Sequence, residues 1–241
     1  MSRPVTRSLD PEMLLRAYAN GLFPMAESAD SPDIFWVEPR RRGVLPLEEF
    51  HAPRSLMRTL RRERFQVSHD RDFARVLSEC AAPAPDRDQT WINNVILDAY
   101  KQLHLMGHAH SIEVWTDDGQ LAGGLYGVRL GAAFFGESMF TRVTDGSKVA
   151  LAALVVRLRF GGFRLLDTQF LTEHLARFGT REIDRKTYRT WLAEALAVTG
   201  DFSALDSYEG AASGAGAGVG DGVGVGTFSG QRIAQLLTQT S

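Results

Sequence analysis

The stretch GAAFFGESMF (residues 131–140), followed after a helix-length interval by GGFRLLDTQF (residues 161–170), decides how this chain is read. Each is an apolar run of the kind that a sheet buries. Each also ends in a small polar cluster, Glu137-Ser138-Met139 in the first and Asp167-Thr168-Gln169 in the second. Charged groups are seldom buried unless they are paired or used. Two acids and an amide at the ends of buried strands therefore mark a candidate site. Asp167 and Gln169 stand at i and i+2, so an extended strand points both side chains to one face.

Working outward, the segment from residue 110 has the pattern of strands: SIEVWT, a turn at Asp118-Gly119, LAGGLYGVRL, a tight link and AAFFGESMF. Asp-Gly between alternating apolar runs signals a hairpin. Residues 147–160 read as a helix, 164–167 as a strand, 173–178 as a short helix and 185–197 as the last helix. A meander followed by helix, strand and helix predicts an α+β domain with one mixed sheet covered by helices. Upstream, helices are predicted over 9–20, 70–80 and 93–106, the first with Asp10-Pro11 as cap and first-turn proline. Residues 31–49, rich in proline and arginine, read as strand and loop. The expected organisation is a small N-terminal lobe over residues 1–62, a main domain over 63–209, and a flexible Gly-rich linker and tail over 210–241. Within the last, GAASGAGAGVGDGVGVG (210–226) has too little large apolar surface to offset its chain entropy.

Composition narrows the class. The 241 residues are 44% hydrophobic, ample for a core, and no apolar run approaches the ~18–20 residues that span a bilayer. The start, MSRPVTRSLD, lacks the apolar stretch of a signal peptide, so a cytoplasmic protein without a membrane partner is expected. The single cysteine, Cys80, excludes an intramolecular disulfide. A net charge of −2 requires any nucleic-acid contact to rest on a local patch. His104, His108 and His110 have no Cys or HExxH pattern beside them and read as surface or packing histidines, with no metal. Ser138 is no nucleophile elbow, because residue 140 is Phe and not Gly.

Seven segments occur in one order: LLRAYANGLFPM (14–25), FWVEPRRRGVLPL (35–47), FHAPRSLMRTLRR (50–62), TWINNVILDAYKQLHLMGHAHSIEVW (90–115), LAGGLYGV (121–128), FFGESMF (134–140) and LLDTQF (165–170). Together they resemble the leucyl/phenylalanyl-tRNA–protein transferases over roughly residues 8–195. The resemblance implies an N-acetyltransferase-like main domain and a monomer that needs no cofactor. It implies transfer of Leu, Phe and, less so, Met from aminoacyl-tRNA to proteins with N-terminal Arg or Lys, marking them for N-degron degradation. It assigns Asp167 and Gln169 to the catalytic pair, places Glu137 in the active site, and matches Trp36, Trp91 and Tyr100 to positions near the terminal adenosine of the tRNA. The glycine-rich C-terminal part departs from the family pattern.

The residues suit that chemistry. Aminolysis of an activated ester needs alignment of amine and carbonyl, a hydrogen-bonding group and a route for one proton. Glu137 would favour a cationic acceptor through charge-assisted hydrogen bonds. The bland alternatives are that Asp167-Thr168 caps a turn and that Glu137 pairs with Arg129 or Arg142. An apolar donor pocket has candidates in Phe134, Phe135, Met139, Leu154 and Leu166. Arg54, Arg58, Arg61 and Arg62 form one helix stripe opposite Leu56, Met57 and Leu60, with Arg40-Arg41-Arg42 just upstream. This arginine concentration reads as a tRNA patch, with a solvated face as the alternative. Two rival functions stay open: a transferase of the same fold acting on another amine, as in peptidoglycan chemistry, and a non-catalytic RNA-binding module.

Overall fold

The computed structural model describes residues 5–6, 8–83, 90–212 and 228–239. The chain runs through β1 (Val5–Thr6), α1 (Pro11–Ala19), β2 (Phe23–Ala26), β3 (Ile34–Val37) and β4 (Arg41–Val44). Next come α2 (Arg54–Arg61), β5 (Gln66–His69), α3 (Phe73–Ala81) and α4 (Asn94–Leu105). The expected meander is β6 (Ala109–Trp115), β7 (Leu121–Leu130) and β8 (Ala133–Thr141), and α5 (Gly146–Phe160) leads from it to β9 (Leu165–Gln169). The chain continues with α6 (Glu173–Ala176), β10 (Arg181–Asp184), α7 (Arg185–Leu196), α8 (Ala204–Ala212), β11 (Phe228–Ser229) and α9 (Gly230–Gln239).

Local chemistry sets the helix starts. The Asp10 carboxylate accepts from the N–H groups of Glu12 and Met13 at 2.9 and 3.1 Å, with Pro11 in the first turn, and Asn93 caps α4 through the N–H of Ile96 at 2.9 Å. Strands β1, β3 and β2 form a small antiparallel sheet. The larger sheet has the order β10-β4-β9-β8-β7-β6-β5-β11 among the described residues, antiparallel except between β8 and β9. That parallel pair demands a crossover, and α5 supplies it. Helix α5 is apolar almost all round and is buried from Val149 through Leu158 against one face of the sheet. The other face is covered by α1, α3, α4 and α7. A Cβ on Gly123 would stand 2.6 Å from the Gly146 carbonyl carbon, so the bare pair lets the first turn of α5 press onto β7.

The α+β architecture and its mixed, helix-covered sheet are those the sequence predicted. Three differences matter for function. Strand β4 lies inside the span read as an N-terminal lobe, yet it is an interior strand of the larger sheet, between β10 and β9. Phe134 and Phe135 are both fully buried, in the cores on opposite faces of the sheet, because successive strand residues alternate sides. Neither lines the cavity that opens between β8 and β9. Finally, α7 is not the last helix. Residues 213–227 lie outside the described residues, but 228–239, grouped in the sequence with the glycine-rich run, pack onto the domain. Phe228 pairs opposite Val67, and Ile233, Ala234, Leu236 and Leu237 are buried beside α2 and α5. Their helical spacing supplies the apolar face that the glycine run lacks. Among the described residues no helix is long and apolar enough to cross a membrane.

Candidate active site

Strands β8 and β9 stay paired only as far as Phe135 and Asp167. Beyond that point β8 continues beside β7, with Met139 opposite Leu125, whereas β9 is held by β4, with Gln169 opposite Gly43. The parting opens a cavity of about 320 Å³ with walls of Leu125, Met139, Leu151, Leu154, Leu166 and Leu175, and Glu137 and Gln169 bring polar groups to it. Of the predicted donor-pocket residues, Met139, Leu154 and Leu166 are therefore brought together, and Phe135 is not. Its ring lies under Tyr18, centroids 4.7 Å apart, on the far face of the sheet.

Glu137 is held by α1 and α4. The hydroxyls of Tyr18 and Tyr100 donate to its two oxygens at 2.7 and 2.8 Å, and the two hydroxyls also touch each other. Gln169 Nε2 donates to the same carboxylate at 3.1 Å. The three oxygen–oxygen contacts around this ring need three protons, and the two phenols supply two. A protonated Glu137 supplies the third. Burial is the main force on the group and pushes its pKa up to about 7, against the opposing effect of the tyrosine hydrogen bonds. Burial and the Glu137 charge raise the pKa of both phenols well above the ordinary value, so they remain protonated. Glu137 can thus take up or release one proton near neutral pH.

Tyr100 is fully buried in this arrangement, packed edge-on to Tyr126, and offers no face on which a base could stack. Its place in the site is as a Glu137 partner. Trp36 and Trp91 are partly buried at the margin of the second core and do not line the cavity. The pairing of Glu137 with Arg129 or Arg142 is not what is found: Arg129 donates to the Gly200 and Gly107 carbonyls, and Arg142 pairs with Glu79.

Asp167 is fully buried and does not line the cavity. Arg42 grips it, with Nε at 2.9 and 3.0 Å from the two oxygens and Nη2 at 2.7 Å. Tyr188 on α7 donates to it at 2.6 Å, and the Gln169 N–H donates to it at 2.8 Å. Gln169 has φ +55°, so the strict strand alternation expected of the pair is broken at its second member. Asp167 is tied to the Gln169 backbone and not to its amide. Arg42, counted from the sequence with an RNA-facing run, is 1% exposed and cannot meet RNA. Arg41 is exposed and engaged with Glu182.

Arg54, Arg58, Arg61 and Arg62 are all exposed along α2 and its C-cap, above the buried Leu56 and Leu60. Thr59 donates to Asp145 at 2.8 Å, and Lys148 pairs with the same acid at 2.7 Å, which ties α2 to the first turn of α5. Two of the three histidines pack: His104 stacks on Phe73 and His110 on Phe202, with centroids 4.2 and 4.1 Å apart. Among the described residues no group of three or more His, Cys, Asp or Glu is placed to hold a metal.

The family model described as leucyl/phenylalanyl-tRNA protein transferase matches residues 44–193, and that of the transferase N-terminal domain matches residues 7–40. The chain belongs to the leucyl/phenylalanyl-tRNA–protein transferase family. A leucyl/phenylalanyl-tRNA–protein transferase of Nitrobacter winogradskyi is 59% identical over 206 residues, 85% of this chain and 91% of the relative. One of Rhizorhabdus wittichii is 50% identical over 250 residues, 98% of this chain and 100% of that protein. The transferase family models thus meet close to β4, and α8, β11 and α9 fall beyond them, although the Rhizorhabdus transferase aligns through nearly the whole chain.

Glu137 and Gln169 are legible in the sequence as site candidates, whereas Tyr18, Arg42 and Tyr188 join the cluster only in the fold. Tyr18 and Arg42 each had a faint signal. Tyr18 is one turn from Leu14 on the apolar face of α1, and Arg42 is two residues from the inward-facing Val44. Both place a polar group where only burial was expected.

Proposed function

We propose that this protein transfers Leu, Phe and, less readily, Met from aminoacyl-tRNA to the N-terminal Arg or Lys of acceptor proteins, as a cytoplasmic monomer. In that role it marks the acceptors for N-degron degradation. The observation that carries the reading is the apolar cavity at the parting of β8 and β9, with Glu137 and Gln169 at its lining. Leu, Phe and Met share apolar bulk unbranched at Cβ, and walls of leucine and methionine accept all three, the thioether of Met139 adapting to shape.

The neutral α-amine of the acceptor attacks the ester carbonyl carbon, the C–O bond to the terminal ribose breaks, and an amide forms. The amine proton ends on the ribose oxygen. Gln169 donates its Nε2 hydrogen to Glu137, which leaves Oε1 to accept from the attacking amine. Ionised Glu137 attracts the cationic acceptor and can hold the proton in transit. Trp36 and Trp91 serve the terminal adenosine, and the α2 arginines neutralise acceptor-stem phosphates.

The test is transfer from Leu-, Phe- and Met-tRNA to peptides starting with Arg, Lys or Ala. Labelled product on Arg and Lys peptides alone supports the reading. Transfer only to other amines would favour the rival transferase, and tRNA binding without any product would reduce the chain to an RNA-binding module.

A further inference from the structure

We propose that Arg42 and Tyr188 are positioning residues for the transfer reaction, acting through Asp167 on the backbone that presents Gln169. The inference rests on the transfer reading above. Asp167 has no free lone pair to offer a substrate. One oxygen takes Arg42 Nε at 2.9 Å and the Gln169 N–H at 2.8 Å, and the other takes Arg42 Nη2 at 2.7 Å and the Tyr188 hydroxyl at 2.6 Å. With the carboxylate fully buried and outside the cavity, its effect on the reaction must pass through those partners.

The partner that reaches the cavity is Gln169. Its φ of +55° is a conformation that non-glycine residues rarely adopt, and the surroundings have to impose it. Three contacts do so. Asp167 holds its N–H, β4 lies against the turn at Gly43, and Gln169 Nε2 reaches Glu137. Asp167 is in turn fixed by a guanidinium that is 1% exposed, donates to the Gly21 carbonyl at 2.9 Å, and lies over the rings of Phe23 and Tyr188 at 4.8 and 4.6 Å. A buried ion pair is a poor device for stability but a good one for fixing geometry, because both partners lose heavily if they part. Burial and the Asp167 charge raise the Tyr188 phenol above its ordinary value, so this hydroxyl stays a donor.

Tyr188→Phe removes one hydrogen bond and keeps the ring under Arg42. In transfer from Leu-tRNA to an Arg-starting peptide, kcat should fall on the order of tenfold, the size of a lost hydrogen bond to a charged group, with KM for the charged tRNA unchanged. The pH profile of kcat should keep its shape. Gln169→Asn shortens the amide while retaining a residue that tolerates positive φ. In that background Tyr188→Phe should add little, since residues acting as a unit are not additive. Arg42→Lys, which keeps the charge and loses the fork, gives a second variant with the same expected pattern. An equal loss in both backgrounds, or an unchanged kcat in Tyr188→Phe, would overturn the proposal. So would a pH profile shifted by that variant, since the hydroxyl would then act on a titrating group and not on geometry alone. Wild-type protein that gives no product from charged tRNA would instead overturn the transfer reading itself.

Discussion

Among Glu137, Tyr18 and Tyr100 there are three oxygen-to-oxygen contacts, and the carboxyl proton completes them only when Glu137 is neutral. Its raised pKa of about 7 therefore has two consequences. If the ionised form serves transfer, kcat/KM climbs as pH rises through about 7, on top of the climb from the acceptor α-amine, whose pKa is roughly 7.7–8.0. Glu137→Gln should remove the first limb and leave the second, as a pH–rate profile would read. Stability has the opposite sign. A carboxyl whose folded pKa lies above its unfolded value of 4.5 stabilises below that value and loses this as pH rises through about 7. Glu137→Gln should thus gain stability relative to the parent between pH 5 and 8 in urea melts. Gly43 gives a second residue-scale prediction. A Cβ there would stand 2.6 Å from the Phe170 carbonyl carbon and 2.9 Å from Thr168 Oγ1. Gly43→Ala should push the Gln169 turn off β4, costing about 1–3 kcal/mol of stability and most of the transfer rate. A normal melting temperature with full activity would rule this out.

At the scale of the element, α2 has arginine at Arg54, Arg58 and Arg61 on its exposed side, Leu56 and Leu60 beneath, and no acid in its first turn. It is fixed to α5 through Thr59 and Asp145, and α5 also carries Leu151 and Leu154 of the cavity. The exposed arginine face and the apolar cavity thus share one rigid support. Arg58→Glu with Arg62→Glu should raise KM for charged tRNA and flatten its dependence on salt, by roughly 0.7–0.9 in log–log slope for each phosphate no longer neutralised. A small aminoacyl-adenosine donor should be affected far less. Equal loss with both donors would point to damage in the fold and not to weaker RNA binding.

For the whole molecule, the C-terminal part is tied in by charge as well as by apolar packing. Arg157 of α5, 2% exposed, donates to the Phe202 carbonyl and to Asp206 at 2.7 to 3.0 Å, and lies over Phe202 and Phe228. His69 of β5 stands 2.9 Å from Asp206 and 3.6 Å from Asp70, and His110 also reaches Asp70. Burial works to lower the His69 pKa, but the contacts with Asp206 and Asp70 outweigh it and the value is raised. Its contribution to stability is therefore full below 6.5 and is lost as pH rises through the folded value. Asp206→Asn leaves Arg157 without its ionic partner and should cost roughly 3 kcal/mol, with a larger loss at pH 5.5 than at pH 8.5. Equal losses at both pH values would exclude His69 from the effect.

The sequence by itself determined what depends on neighbours along the chain: the Asp10 cap, the Asp-Gly hairpin, the helix that became α5, and the polar clusters Glu137–Met139 and Asp167–Gln169 that mark the site, the first of which lies within β8 and not at its end. Spacing and cap chemistry are local, and so they are legible. Tertiary structure alone decided that Glu137 meets Tyr18 across 119 positions and that Asp167 meets Arg42 across 125. It also decided that Tyr100 is buried and that residues 228–239 close the far edge of the sheet. Those contacts follow from the order of strands in the sheet. Periodicity tells which face of a strand is buried, but not which distant strand or helix will cover it.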